Sequence, residues 1–127
     1  MYRAPIPWNA RVKPEERICI EFADSLRAAT LAGELKCIFC HVPNEGKRHI
    51  FVALILRAMG MITGCADYFF AWESGSGFIE FKTPGNKQTP SQKDFEQWCV
   101  DLGIKYAVCT SAAEATKKLE EWKILIK

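Results

Sequence analysis

The sequence predicts an α/β fold, a mixed β-sheet flanked by helices. Three observations carry this. Apolar residues recur with helical spacing in separate segments, short β-branched and aromatic runs stand between them, and Gly, Pro, Asn and Ser punctuate the joins. Read in order, the elements are α-β-α-β-β-α-β-α, which calls for one sheet covered by helices with its hairpin at the centre. The chain has 127 residues, 49% hydrophobic and 25% charged. A length of about 100–200 residues predicts one domain with a sizeable core.

Residues 1–13 read as an irregular arm, and residues 14–127 as the domain. Pro14 suits the first turn of a helix, with Glu15 and Glu16 favourable at the positive end of its dipole. Ile18, Phe22, Leu26 and Ala29 set its buried stripe, which Glu21 borders, three residues after Ile18. Gly33 ends this helix, residues 35–42 read as a buried strand, and residues 43–46 are turn chemistry. Residues 49–60, HIFVALILRAMG, read as a short apolar helix, most simply a core helix. Residues 64–72 are strand-like, 73–77 a hairpin loop and 78–83 the returning strand. A loop covers residues 83–88. Thr89, Pro90 and Gln92 then open a helix that runs to Leu102 before Gly103. Residues 105–110 form a strand, and Ser111 with Glu114 makes a capping-box pattern for a last helix to about Trp122.

Several classes are excluded by composition. No apolar run approaches the roughly 20 residues that cross a bilayer, and the start lacks the apolar core of a secretory signal. The expectation is a soluble cytoplasmic protein. On that expectation the six cysteines, Cys19, Cys37, Cys40, Cys65, Cys99 and Cys109, are reduced small core residues. A net charge of +2 does not by itself argue for nucleic acid. Cys37-x-x-Cys40-His41 matches a haem-attachment pattern, but that chemistry requires export, and residues three apart on a strand face opposite ways. A structural zinc site would need a second close Cys/His pair, which is missing.

The chemistry concentrates on the hairpin. Glu80 and Lys82, two apart on one strand, share a face, while Ile79 and Phe81 turn to the other. Folding the strands together can bring Asp67 beside Glu80, giving two carboxylates and an ammonium on one patch. Such a set suits phosphodiester hydrolysis: hard oxygen ligands hold Mg²⁺, and a lysine offsets charge in the transition state. On spacing alone the pattern is weak, because Glu-x-Lys is also an ordinary surface ion pair. Gln92 is either the capping residue of its helix or a neighbour of the site, and the two roles are compatible. Glu21 is either a partly exposed helix carboxylate or an outer ligand. Two other classes stay open: a non-catalytic nucleic-acid-binding module using Arg48, Arg57, Lys82, Lys87 and Lys93 on phosphates, and an interaction protein with an incidental polar patch. The aromatic clusters, Tyr68, Phe69, Phe70 and Trp72 with Phe95 and Trp98, read as core and contact residues.

From about Glu21 to the final helix the chain resembles the VRR-NUC family, a branch of the PD-(D/E)XK nucleases. An early helical Glu, CHVPNEG at 40–46, GCAD at 64–67, IEFK at 79–82 and SQ at 91–92 stand in the family's order, before the late LG that leads into a strand. The resemblance implies a restriction-endonuclease-like fold and a DNA nuclease dependent on Mg²⁺ or Mn²⁺. It implies Asp67, Glu80 and the backbone carbonyl of Phe81 as metal ligands, completed by Glu21. Lys82 becomes the catalytic lysine, with Gln92 beside it. His41 and Asn44 match the loop motif near the site, where Arg48 and Lys87 would bind substrate. Ala66 stands where many members have proline, which supplies no ligand. Stand-alone viral or bacterial members tend to be homodimers, some acting on branched DNA such as Holliday junctions or flaps. A role in replication or repair follows by implication.

Overall fold

A computed structural model describes residues 3–43 and 49–127 of the chain. The elements are α1 (Pro14–Leu31), β1 (Ile38–His41), α2 (Ile50–Ala58), β2 (Tyr68–Trp72), β3 (Gly75–Phe81), α3 (Pro90–Asp101), β4 (Lys105–Cys109) and α4 (Ala112–Glu121). Type and order are those the sequence predicts. The four strands form one sheet in the order β1-β2-β3-β4, antiparallel except for the parallel β3–β4 pair. The parallel pairing requires a crossover, and α3 supplies it.

Alternation of side chains along each strand divides the core in two. On one face Tyr68, Phe70, Ile79, Phe81, Ala107 and Cys109 pack under Phe22 and Leu26 of α1 and Ala115 and Leu119 of α4. The ring of Phe22 meets Tyr68 and Phe81 edge-on, each at 5.2 Å between centroids. The other face is smaller: Ala66, Phe95 and Cys99, with Phe78 and Tyr106 packed against them.

Three expectations need correction. The hairpin is tighter than residues 73–77, because Trp72 pairs with Gly75 and only Glu73 and Ser74 turn the chain. The strand expected to be buried at 35–42 is shorter, and it is largely exposed because it forms an edge of the sheet with neighbours on one side only. The short apolar helix is not a core helix. No residue of α2 is buried, since both faces of the sheet are already covered by α1, α4 and α3. Among the described residues no helix is long and apolar enough to cross a membrane.

Candidate active site

The register of the hairpin builds the centre of the site. Tyr68 pairs with Ile79, so Asp67, one residue before β2, stands opposite Glu80. Its carboxylate takes over where the strand ends: Asp67 Oδ2 accepts the backbone N–H of Phe81 at 2.7 Å. That bond turns Asp67 into the last rung of the β2–β3 ladder and fixes its carboxylate beside Glu80.

Glu80 is 3% exposed, a buried carboxyl on the sheet face covered by α3. Burial pushes its pKa up to about 9, with the adjacent Asp67 adding to the rise by charge and by a hydrogen bond, and Lys82 pulling it down. Glu80 Oε1 has no hydrogen-bond partner. An orphaned buried carboxyl oxygen is costly, and a group that binds there relieves the cost. Lys82 follows β3 directly and is half-buried, with its backbone N–H donating to Cys109 O at 2.9 Å. The structure thus brings Asp67, Glu80 and Lys82 together at one end of the central hairpin.

The loop leading to Asp67 is seated by a close backbone approach. Gly64 has φ +88°, and a Cβ there would stand 2.5 Å from the carbonyl group of Ser91 at the start of α3. Only glycine combines that conformation with that contact. At the same helix start, Thr89 and Gln92 form a reciprocal cap: Gln92 N–H donates to Thr89 Oγ1 at 3.2 Å, and Thr89 N–H donates to Gln92 Oε1 at 2.9 Å. The capping role of Gln92 is therefore present. It occupies the amide oxygen and leaves Nε2 as the group able to serve a site.

On the opposite side of Asp67 a cavity of about 900 Å³ opens between α1 and β1. Asp67, His41, Tyr68, Cys19 and Glu15 line it, together with the cationic Lys13, Arg27 and Arg3. The arm expected at 1–13 forms part of this wall. Arg3 is tied to Asp24 of α1 by two hydrogen bonds of 2.9 and 3.1 Å, and Arg27 shares the same carboxylate at 3.1 Å. The Cys19 thiol is pushed up to about 12, chiefly by burial and then by Asp67, so it stays protonated and is no nucleophile.

Glu21 is not brought to this site. It is exposed, and 100° per residue places it on the side of α1 away from Cys19 and Ala23. The helix carboxylate that faces inward is Glu15, one turn before Cys19, which lines the cavity with Asp67 and whose charge reaches Glu80. The i, i+4 relation of Glu15 to Cys19 and its step to Phe22 were the available signal. His41 is brought in, its ring 5.0 Å from that of Tyr68. Lys87 is exposed on the loop after β3 and does not line the cavity. The side chain of Phe81 is in the core and its N–H serves Asp67. Asn44 and Arg48 lie outside the described residues.

The donor set can be tested against a cation by its chemistry. Among the described residues no three His, Cys, Asp or Glu side chains converge as a ready-made cage. Two adjacent carboxylates, one with an unsatisfied oxygen, fit a hard divalent ion that keeps several waters, as Mg²⁺ does.

The architecture has a solved counterpart. A structure described as a VRR_NUC domain protein matches with a TM-score of 0.66 over 92% of this chain and 94% of that one, at 17% sequence identity. This chain therefore has the fold of a VRR-NUC domain, as its motifs predict. No family model matches the sequence, and no curated protein matches it.

Proposed function

We propose that this chain is a metal-dependent nuclease that hydrolyses phosphodiester bonds of DNA, acting as a homodimer on branched substrates such as four-way junctions or flaps. The observation that carries the reading is the buried Glu80 carboxyl held against Asp67 with one oxygen unsatisfied and Lys82 beside it. A surface ion pair needs no such burial. A pure binding module gains nothing from carboxylates that repel phosphate.

In this reading Asp67 and Glu80, with the Phe81 carbonyl, hold Mg²⁺ or Mn²⁺. The bound ion supplies Lewis-acid polarisation of the phosphoryl oxygen and offsets charge on the leaving oxygen. Lys82 orients the attacking water and stabilises the charge that grows on the phosphoryl group. Glu15, rather than Glu21, adds a third carboxylate at the rim. Gln92 offers Nε2 to water or substrate while its oxygen caps α3. His41, Lys13 and Arg27 take phosphates along the cavity, and Asn44, Arg48 and Lys87 are further substrate-binding residues by their chemistry. The expected setting is DNA replication or repair in the cytoplasm.

The test is cleavage of labelled DNA (a four-way junction, a flap and a plain duplex) with Mg²⁺, Mn²⁺ or EDTA. Metal-dependent cutting that disappears in Asp67→Asn is the expected result. DNA bound equally with and without metal, and never cut, would overturn the nuclease in favour of a binding module.

A further inference from the structure

The four tryptophans of the chain stand in different settings. Trp72 and Trp122 stack on each other at 6.1 Å between centroids, and Trp98 meets Phe95 edge-on. Trp8 is 97% exposed. An indole left in water forgoes one of the largest apolar gains a side chain offers. Its setting is a strap. At one end Arg3 is tied to Asp24 by two hydrogen bonds, and at the other Pro14 begins α1. About 15 Å of helix separates Pro14 from Asp24, whereas the segment from Arg3 to Pro14 could reach about 35 Å. The slack is taken up in an exposed loop, and a turn closed by Ala10 N–H donating to Pro7 O at 2.9 Å carries Trp8. Pro5 and Pro7 fix two φ angles on the approach, which lowers the entropy lost when the strap engages a partner. No Asp or Glu precedes Glu15, while Arg11 and Lys13 are exposed cations of the same segment. Arg3 and Lys13 also line the cavity that holds Asp67.

We propose that this strap is a binding site for unpaired nucleotides of DNA, in which the indole of Trp8 stacks on one base while Arg11 and Lys13 hold phosphates of the same strand. Every nucleobase has a π face, so an exposed indole takes any of them. Bases inside a duplex are stacked on one another and present no face, so Trp8 selects unpaired nucleotides without reading their sequence. A cationic segment without carboxylates suits the phosphodiester backbone. Lys13 belongs both to the strap and to the cavity lining, so a strand held at Trp8 continues toward Asp67.

A lipid surface matches less well. It asks for a broad apolar face, and beside Trp8 the strap offers Ile6, 40% exposed, as its other large exposed apolar side chain. The inference rests on the nuclease reading for the polymer being DNA. It also sorts the branched substrates: a flap carries unpaired nucleotides, whereas a fully paired four-way junction carries none.

The experiment is fluorescence anisotropy of a labelled oligothymidine of about 15 nucleotides and of a blunt duplex of equal length. Each is titrated with the full chain in EDTA, so that cleavage does not enter. The wild-type protein is expected to bind the single strand more tightly than the duplex. Trp8→Ala should weaken single-strand binding about fivefold or more, the scale of one lost base–aromatic stack, with a much smaller effect on the duplex. Trp8→Phe should restore most of that loss. Arg11→Ala should weaken both and lower the salt dependence of both. Both positions are exposed, so circular dichroism of the variants should match the wild type. Single-strand binding that Trp8→Ala leaves unchanged, or lowers no more than duplex binding, would overturn the inference. So would a Trp8→Ala variant that instead loses binding to vesicles of mixed neutral and anionic lipid, or changes its sedimentation mass. Trp8-dependent binding with no cutting in Mg²⁺ would sink the nuclease reading and leave the strap standing. A flap cut equally by wild type and Trp8→Ala would do the reverse.

Discussion

Glu80 and helix α2 depart from the usual sorting of polar and apolar groups in opposite directions. Glu80 is a carboxyl buried in the sheet with one oxygen unsatisfied. Helix α2 is an apolar surface left in water. Each is unfavourable for the isolated chain, and under the proposed function a cation would relieve the first. The difference lies in specificity. The carboxylates are held by a ladder register and a 2.7 Å bond from Phe81 N–H to Asp67, so they select by geometry. The α2 face carries no such fixed polar geometry, and single changes there act more gently.

The largest effect should come from the rigid end. Lys82→Ala is expected to lower kcat at least about 100-fold, the scale seen when one charge-stabilising donor is removed from a transition state, while DNA binding in a gel-shift assay persists. Equal loss of binding and cleavage would assign Lys82 to affinity instead.

Gly64→Ala comes next. With φ +88° and a contact of 2.5 Å to Ser91, the substitution should cost about 1–3 kcal/mol. A thermal-unfolding scan reads that cost, and an unchanged midpoint would show that the loop before Asp67 is not seated by this contact.

Glu80 then gives a test with a definite sign. Its pKa rises from the ordinary 4.5 to about 9 on folding, so between those values the metal-free native state holds a proton that the unfolded chain has already released. Metal-free stability should therefore fall as pH rises from about 5 to 9, through this group. Glu80→Gln should flatten that fall and give a higher melting temperature than wild type at pH 8. Cation binding has the opposite slope, because the ion displaces the proton. Calorimetric affinity for Mn²⁺ should rise across the same window and be lost in Glu80→Gln. A wild-type stability profile that is flat from pH 5 to 9 would contradict the buried-carboxyl account.

The smallest effect separates two carboxylates of one helix. Glu15→Gln should weaken Mn²⁺ binding a few-fold, and Glu21→Gln should leave it unchanged. The reverse result would mean that α1 sits rotated from the orientation described.

Much of this was legible in the sequence, for identifiable reasons. The meeting of Asp67, Glu80 and Lys82 follows from period-two alternation and a tight hairpin, both of which are local. The cap at Thr89 and Gln92 is local too. Helix rotation is not local. Glu21 stood three residues from Ile18, close enough to border a stripe drawn through Ile18, Phe22 and Leu26. That stripe does pack on the core, with Ala29, but Cys19 and Ala23 widen the inward side on the flank away from Glu21, which favours Glu15. Burial of β1 and α2 was overestimated on similar grounds. An apolar run states that a segment has to be covered, but its own chain need not do the covering.

The hydroxyl of Tyr68 donates to the carbonyl oxygen of Cys19 at 3.0 Å. Around it, helix and sheet meet through the rings of Phe22, Tyr68 and Phe81, contacts less sharply directional than a hydrogen bond. That one hydroxyl acts as an index mark between the two, so that a carboxylate one turn away on α1 meets the sheet at the same height each time the protein folds.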